Sequence, residues 1–498
     1  MPETKPSPLP PVAEEGVPFS RLLTMRAQQN PNGTAMTVVS KAGSEQALTW
    51  SDLESSANQW GRALQSSGVS QGAMVALSIP NSTELVLAAL AAWKLGAVPI
   101  PMRWDLPDWE QQRLLDVIEP ALVLSEANVE SLAEAARGES DSALPELVSP
   151  AVNGICSSGS TGLPKIILNT APAVWTARHG VPFIAQWAPV SLPQKILVPA
   201  PMYHTNGFNA VSYLIGGDEL VVLDKFDAAM VLDVIERHQI THFTATPTML
   251  ARIADIPGVE HRDLSSVEWI MQGAAVMPPN LLRRWFELLS PERIVMAYGM
   301  TENLGLTALR GDEWLAHPGS VGRGFRETDI RVVDDRGEEV AAGELGEVYL
   351  RAPMNDQYRY IGGAAPLPTT SDGFTSAGDI GRLDEDGYLY IADRRTDMII
   401  TGGANVFPAE IESALIDHPE LADVVVIGLA DERWGRRVHA VVQPIDAAHP
   451  PTEQAVIRYA KDRLAAYKVP KTVEFIDEIP RSAATKVNRS AMVEARGG

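Results

Sequence analysis

Five short segments of this 498-residue chain carry side chains suited to nucleotide chemistry. In "SSGSTGLPK", Ser157 to Lys165, two glycines let the backbone approach an anion, hydroxyls can donate to it, and a lysine adds charge. A flexible surface loop has the same composition. The segment is not a Walker P-loop, because Leu163-Pro164-Lys165-Ile166 stands where Gly-Lys-Ser/Thr is required. "YGMTEN", Tyr298 to Asn303, offers a ring for a base, a hydroxyl for phosphate and a carboxylate for Mg²⁺, or simply turns the chain at a strand end. In "SAGDIG" (376–381), Asp379 could bind a ribose diol or shape a turn. "DRRTDMIITGGANVFPAEIE" (393–412) presents Arg394 to a nucleotide and Gly402-Gly403 to a ligand passing the backbone; a linker with a tight turn reads the same. In "PRSAATKVNR", Lys486 is either a solvated charge or a catalytic one.

The elements that must position these segments alternate between strand and helix. The runs "AMVALSIP" (73–80), "ALVLS" (121–125), "KILVPAP" (195–201), "ELVVLDKF" (219–226), "HFTATP" (242–247), "VEWIMQG" (267–273) and "RIVMAYG" (293–299) predict strands with helical stretches between several of them. That alternation argues for α/β layers with largely parallel sheets. From about Ile330, "IRVVDDRGEEV", "GELGEVYLRAP" and "DGYLYIADRR" are strands joined by Asp/Gly turns, which predicts an antiparallel β region. After Arg394 comes a segment of about 100 residues with its own helices, "PAEIESALIDHP" and "TEQAVIRYAKDRLAAY", and strands, "DVVVIGLA" and "RVHAVVQPI". It is long enough for an independent α+β domain.

Composition excludes other classes. With 41 basic and 63 acidic side chains the net charge is −22, which repels phosphate backbones, so nucleic acid is not an expected partner. The single Cys156 rules out an intrachain disulfide framework and a cysteine-rich metal site. With no histidine or carboxylate near it in sequence, it reads as a small apolar residue at a strand end rather than a nucleophile. Residues 1–18, rich in proline and acids, read as a disordered arm and not a signal peptide. "TELVLAALAAWKLGAV" is too short for a membrane span and carries Glu84 and Lys94. No membrane insertion and a cytoplasmic location are expected.

Taken together and in this order, the five segments resemble the signature series of the adenylate-forming superfamily of acyl-CoA synthetases, peptide-synthetase adenylation domains and luciferases. The resemblance runs from about Phe19 to Arg489. It implies a large N-terminal domain (19–395) of two α/β layers plus a β-barrel-like region, then a small mobile α+β domain (396–498). It also implies ATP, Mg²⁺ and coenzyme A. By the same resemblance, Ser157, Ser158, Gly159, Ser160, Thr161, Gly162 and Lys165 hold the β- and γ-phosphates of ATP. Gly273, Ala274 and Ala275 with Tyr298 form the adenine slot. Thr301 meets the α-phosphate, Glu302 binds Mg²⁺, Asp379 takes the ribose with help from Arg394, and Lys486 is the catalytic lysine. Coenzyme A would enter along Gly402 and Gly403, flanked by Trp434 and Tyr467; Trp434 equally reads as a surface anchor between domains. The hinge position, usually Asp or Lys, is Thr396 here, with Asp397 next to it. Thr485 replaces the usual glycine before the catalytic lysine.

"PMYHTNGFN" (201–209) resembles the mouth of the family's acid pocket, where His204 gates or orients the carboxylate; a core histidine is the alternative. His204, Phe208, Val211, Gly273, Met300, Asn303 and Leu304 are the expected pocket residues, suiting a bulky apolar or aromatic acid. No aspartate stands in this segment to meet an ammonium group, and the sequence continues only twelve residues past Lys486. Both points favour a free-standing ligase for a small-molecule acid that is not an amino acid. An enzyme that loads a separate carrier protein and a nucleotide-binding protein without catalysis are the other readings. Oligomeric state is not derivable from the sequence, and a homodimer stays open.

Overall fold

The computed structural model describes residues 16–158, 164–176, 181–353, 357–362, 365–394, 397–401, 404–431, 434–481 and 487–497. The chain divides into two units: Met1–Asn303 with Leu309–Leu315 and Met354–Pro366, and Leu304–Ala308 with Ala316–Pro353 and Leu367–Gly498.

In the first unit the apolar runs become parallel strands, as their patterning predicts. Met74–Ser78 lies between Val98–Pro101 and Leu122–Ser125, parallel to both. The crossover from Met74–Ser78 to Val98–Pro101 uses the helix Thr83–Lys94, started by Ser82, whose hydroxyl accepts the Leu85 N–H. This helix is buried along nearly its whole length, and Lys94 is held by Glu54 at 2.9 Å from the helix Trp50–Ser66. Burial lowers the lysine pKa, and the carboxylate partly restores it. Trp93 packs edge-on to Phe19, with ring centroids 5.0 Å apart, and lies 6.1 Å from Phe208.

A second parallel sheet runs in the order Ile294–Gly299, Trp269–Gln272, His242–Ala245, Lys195–Val198, Glu219–Leu223 and Thr34–Val39, with Glu45–Thr49 antiparallel beside the last. All its parallel strands end at one edge, so the segments after Gln272, Val198 and Gly299 emerge on the same side. A third sheet is antiparallel: Asn153–Ser158, Pro164–Asn169 and Tyr358–Ile361.

In the second unit Asp329–Val333, Gly346–Arg351, Thr375–Leu383 and Leu389–Arg394 form a four-stranded antiparallel sheet in that order. Beyond these four, Leu389 pairs antiparallel with Gly322, next to the short strand Arg323–Phe325. Further along, Leu421–Asp431 pairs antiparallel with Gly435–Pro444, which pairs parallel with Thr472–Phe475. Strand alternation buries both faces. Val424 and Val426 pack with Ile411 and Leu415 of the helix Pro408–Leu415, while Val425 and Ile427 pack with Ile479 and Met492. The amphipathic pattern from Thr452 yields a shorter helix than its periodicity suggests, Glu453–Lys461, capped by Thr452.

Candidate active site

The first chemical segment joins two antiparallel strands. Ser157 pairs with Lys165, and Ser158 with Pro164. Gly159, Ser160, Thr161 and Gly162 lie outside the described residues, as do the side chains of Ser157 and Ser158. Lys165 is on the strand Pro164–Asn169 rather than in a loop. Its Nζ is 3.5 Å from Glu302 Oε1 and 4.3 Å from the centroid of the Tyr360 ring. The Tyr360 hydroxyl donates to the same Glu302 oxygen at 2.7 Å. Burial first, then the bond to Glu302 and its charge, raises the Tyr360 pKa, so the hydroxyl is a donor at neutral pH. Glu302 itself is buried. Tyr360 belongs to none of the five segments; its strand reaches Lys165 only through a pairing of residues far apart in sequence.

Glu302 follows the strand Ile294–Gly299, which also carries Tyr298. Beside it, Thr301 Oγ1 lies 3.2 Å from Thr205 Oγ1. Thr205 starts the short helix Thr205–Phe208 within the segment 201–209, and His204 is its N-cap residue, its ring 4.5 Å from that of Tyr203. Gly207 is required here: a Cβ would stand 2.4 Å from the Pro201 carbonyl oxygen. Asn303 has φ +55° and its N–H donates to Met300 O at 3.0 Å, closing the turn. Phe208 and Val211 are buried in the core with Trp93, at 1% and 0% exposure, and present no surface to a cavity. Leu304, at 0%, is likewise buried, in the second unit.

Gly273, Ala274 and Ala275 follow the neighbouring strand Trp269–Gln272. Ala274 has φ +74°, a conformation that costs a residue with a Cβ about 1 kcal/mol. The buried Gln272 side chain holds this turn by donating to Gly273 O at 3.2 Å and Ala275 O at 2.6 Å. Sequence reasoning passes over Gln272; the signal was a polar residue closing an apolar strand. A Cβ at Gly273 would meet only Ala297 O, at an ordinary 3.7 Å, so protein packing does not demand glycine there.

In the second unit the antiparallel register sets Asp379 opposite Arg394, and Arg394 Nε reaches Asp379 Oδ1 at 3.9 Å. Gly378 before it has φ +71°, and its N–H donates to Ser376 Oγ at 3.0 Å. Asp393 is buried against the start of the helix Pro408–Leu415, accepting the Ala409 and Arg394 N–H groups. Burial pushes its carboxyl up to about 6 despite those donors and the nearby Arg489 charge. Arg489 binds both oxygens of Glu412 at 2.7 Å and Asp397 at 3.1 Å. Trp434 and Tyr467 are exposed, at 41% and 46%. Lys486, Thr396, Gly402 and Gly403 lie outside the described residues. Burial pushes the Cys156 thiol up to about 12, which leaves no thiolate for nucleophilic chemistry at neutral pH.

No group of three His, Cys, Asp or Glu side chains gathers into a metal cage among the described residues. Mg²⁺ is commonly held by one or two carboxylates plus substrate phosphates, so a single buried Glu302 beside the Lys165 ammonium fits that ion. No helix among the described residues is long and apolar enough to cross a membrane.

Residues 23–356 match the family model described as AMP-binding enzyme, and 410–486 match the AMP-binding enzyme C-terminal domain. The chain is 32% identical over 487 residues to an indoleacetate–CoA ligase of Aromatoleum aromaticum, covering 89% of this chain and 92% of that one. It is 31% identical over 503 residues to a long-chain-fatty-acid–CoA ligase of Mycobacterium tuberculosis, covering 95% and 97%. Among solved structures it is similar to the o-succinylbenzoate CoA synthetase of Bacillus subtilis in complex with its acyl-adenylate intermediate. That likeness has a TM-score of 0.82 and 26% identity, covering 95% of this chain and 97% of the other.

Proposed function

The chain belongs to the AMP-binding enzyme family, and we propose that it is an ATP-dependent acid–coenzyme A ligase. The observation that carries this reading is the convergence of Lys165, Glu302 and the Thr301–Thr205 pair at one place in the first unit. A carboxylate lacks a leaving group that a thiol can displace. Attack of its oxygen on the α-phosphorus of ATP forms an acyl adenylate and expels pyrophosphate; the thiol of coenzyme A then attacks the acyl carbon and AMP leaves. The barrier is chiefly that of holding anions in line, so positioning and charge do most of the work.

In this reading Lys165 and the Ser157–Gly162 segment grip the leaving phosphates, and Thr301 bonds the α-phosphate. Gly273 to Ala275 with Tyr298 seat the adenine. Asp379 and Arg394 take the ribose, supported by their cross-strand pairing. Glu302 would hold Mg²⁺, which supplies charge neutralisation to the triphosphate when bound. Lys486 serves adenylation. A domain starting at 396 then turns about Thr396 or Asp397 to admit coenzyme A past Gly402, Gly403, Trp434 and Tyr467.

His204, Gly273, Met300 and Asn303 bound the acid pocket, with Phe208 and Val211 supporting it from the core. The relatives act on an indole acid and on long-chain fatty acids, which supports a bulky apolar or aromatic acid. Pyrophosphate release across a panel of such acids, with and without coenzyme A, tests the proposal. Acid-dependent release with acyl-CoA formation is expected. Release without any acyl-CoA product would overturn the ligase reading and favour transfer to a carrier protein.

A further inference from the structure

Tyr360 lies outside every segment that suggested chemistry, yet it touches two of the residues on which the nucleotide reading depends. We propose that Tyr360 is a positioning residue: its hydroxyl orients Glu302 while its ring supports Lys165, so that one side chain sets both the metal-facing carboxylate and the phosphate-facing ammonium. The inference rests on the ATP-dependent reading above.

Strand register explains how a single residue does both. Tyr360 stands opposite Ile167 in the antiparallel pair, and Lys165 is two residues before Ile167. Period-two alternation therefore puts Tyr360 and Lys165 on one face as diagonal neighbours, 4.3 Å from ammonium to ring. The flanking residues Ile166 and Ile361, themselves paired, turn to the other face and pack with Ile100, Met102 and Leu114. A one-residue slip would turn Tyr360 or Lys165 toward that apolar cluster, and this cost holds the tyrosine in place.

The chemistry of the two contacts differs in a useful way. The hydroxyl is a neutral donor, at 2.7 Å, so it fixes the Glu302 carboxylate without cancelling the charge a divalent cation needs. The ring attracts the ammonium through its face and leaves N–H groups of Lys165 free for phosphate oxygens. The direct Lys165–Glu302 contact, at 3.5 Å, is longer than the Tyr360–Glu302 hydrogen bond. It can open when a polyphosphate arrives, because both partners keep their hold on Tyr360.

Tyr360→Phe separates these roles, since it keeps the ring and removes the donor. The measurement is the ATP-induced rise in melting temperature as MgCl₂ is titrated, repeated in EDTA, with ATP affinity by calorimetry. For Tyr360→Phe the Mg²⁺ concentration giving half the shift should rise about tenfold, the usual loss for a bond to a charged group. Its affinity for ATP in EDTA should stay within about twofold of wild type. Tyr360→Leu should lose affinity in EDTA as well, because Lys165 then lacks its support. An unchanged Mg²⁺ midpoint in Tyr360→Phe overturns the proposal, and so does an equal loss with and without Mg²⁺, which would mark a purely structural residue. Wild-type protein that shows no Mg²⁺-dependent response to ATP would instead overturn the ATP-dependent reading on which the proposal stands.

Discussion

Replacing Gly207 with alanine tests whether the turn at 201–208 sets the acid end of the site. The added Cβ would stand 2.4 Å from Pro201 O, 2.7 Å from Pro201 C and 2.9 Å from Met202 Cα, all backbone atoms. Ordinary contact begins near 3.4 Å, so one side must retreat by about 1 Å. Residues 200–202 are anchored. Asn81 Nδ2 donates to Ala200 O and Leu223 O at 3.0 Å each, and its Oδ1 accepts the Met202 N–H at 2.8 Å. The short helix Thr205–Phe208 gives way instead, carrying His204 and Thr205 with it and breaking the 3.2 Å contact to Thr301. Overpacking of this kind costs about 1–3 kcal/mol. For a unit of this size that is a fall in melting temperature of roughly 1–4 °C. A displacement of about 1 Å at a positioning group lowers kcat/KM by about 10²-fold. Calorimetric melting and acid-dependent pyrophosphate release measure the two effects. Adding Asn81→Ala frees the anchored side, so the double variant should lose less than the two single losses combined. A Gly207→Ala protein with wild-type kcat/KM would refute the account of how this turn positions the site.

Gly273→Ala is the opposite case: its Cβ has ordinary room, so melting temperature should change by less than about 1 °C while KM for ATP rises, as steady-state kinetics would show. An unchanged KM would remove Gly273 from the adenine slot. His242, buried and stacked on Trp269 at 3.6 Å, has its pKa lowered by burial from 6.5 to about 3. The unfolded chain takes up this proton near pH 6.5 and the folded one does not. The contribution is therefore complete above that pH and is lost as pH falls from there toward 3. Denaturant unfolding at pH 7 and pH 5 should show wild type losing about 2 kcal/mol more than His242→Phe. Lys486→Ala should abolish pyrophosphate release from acid and ATP, while thioester formation from supplied acyl adenylate persists. Equal loss of both half-reactions in a folded variant would contradict domain alternation.

Periodicity and turn chemistry made the strands from Met74–Ser78 to Ile294–Gly299 legible in advance, because each is a short apolar run bounded by polar or turn residues. The helix from Thr452 was over-read by several residues: the amphipathic pattern continues where the hydrogen-bonded helix has already given way to turns after Lys461. The chemical segments stand out in the sequence for a similar local reason, since each packs its candidate residues within about ten positions. Phe208 and Val211 show the limit of such reading. Their neighbours in sequence suggest a pocket wall, but helix geometry turns them into the core against Trp93.

By itself, then, the sequence determined the fold class and the order of the five segments, because patterning and spacing are local properties of the chain, and the resemblance of that series implied the reaction class. Only the tertiary structure decided that Lys165 is a strand residue paired with Glu302, that Gln272 holds the turn at Ala274, and that Tyr360 joins the first two. These are contacts between residues up to about 200 positions apart. The register that brings Tyr360 beside Lys165, with Ile166 and Ile361 on the opposite face, is set only when the sheets pack.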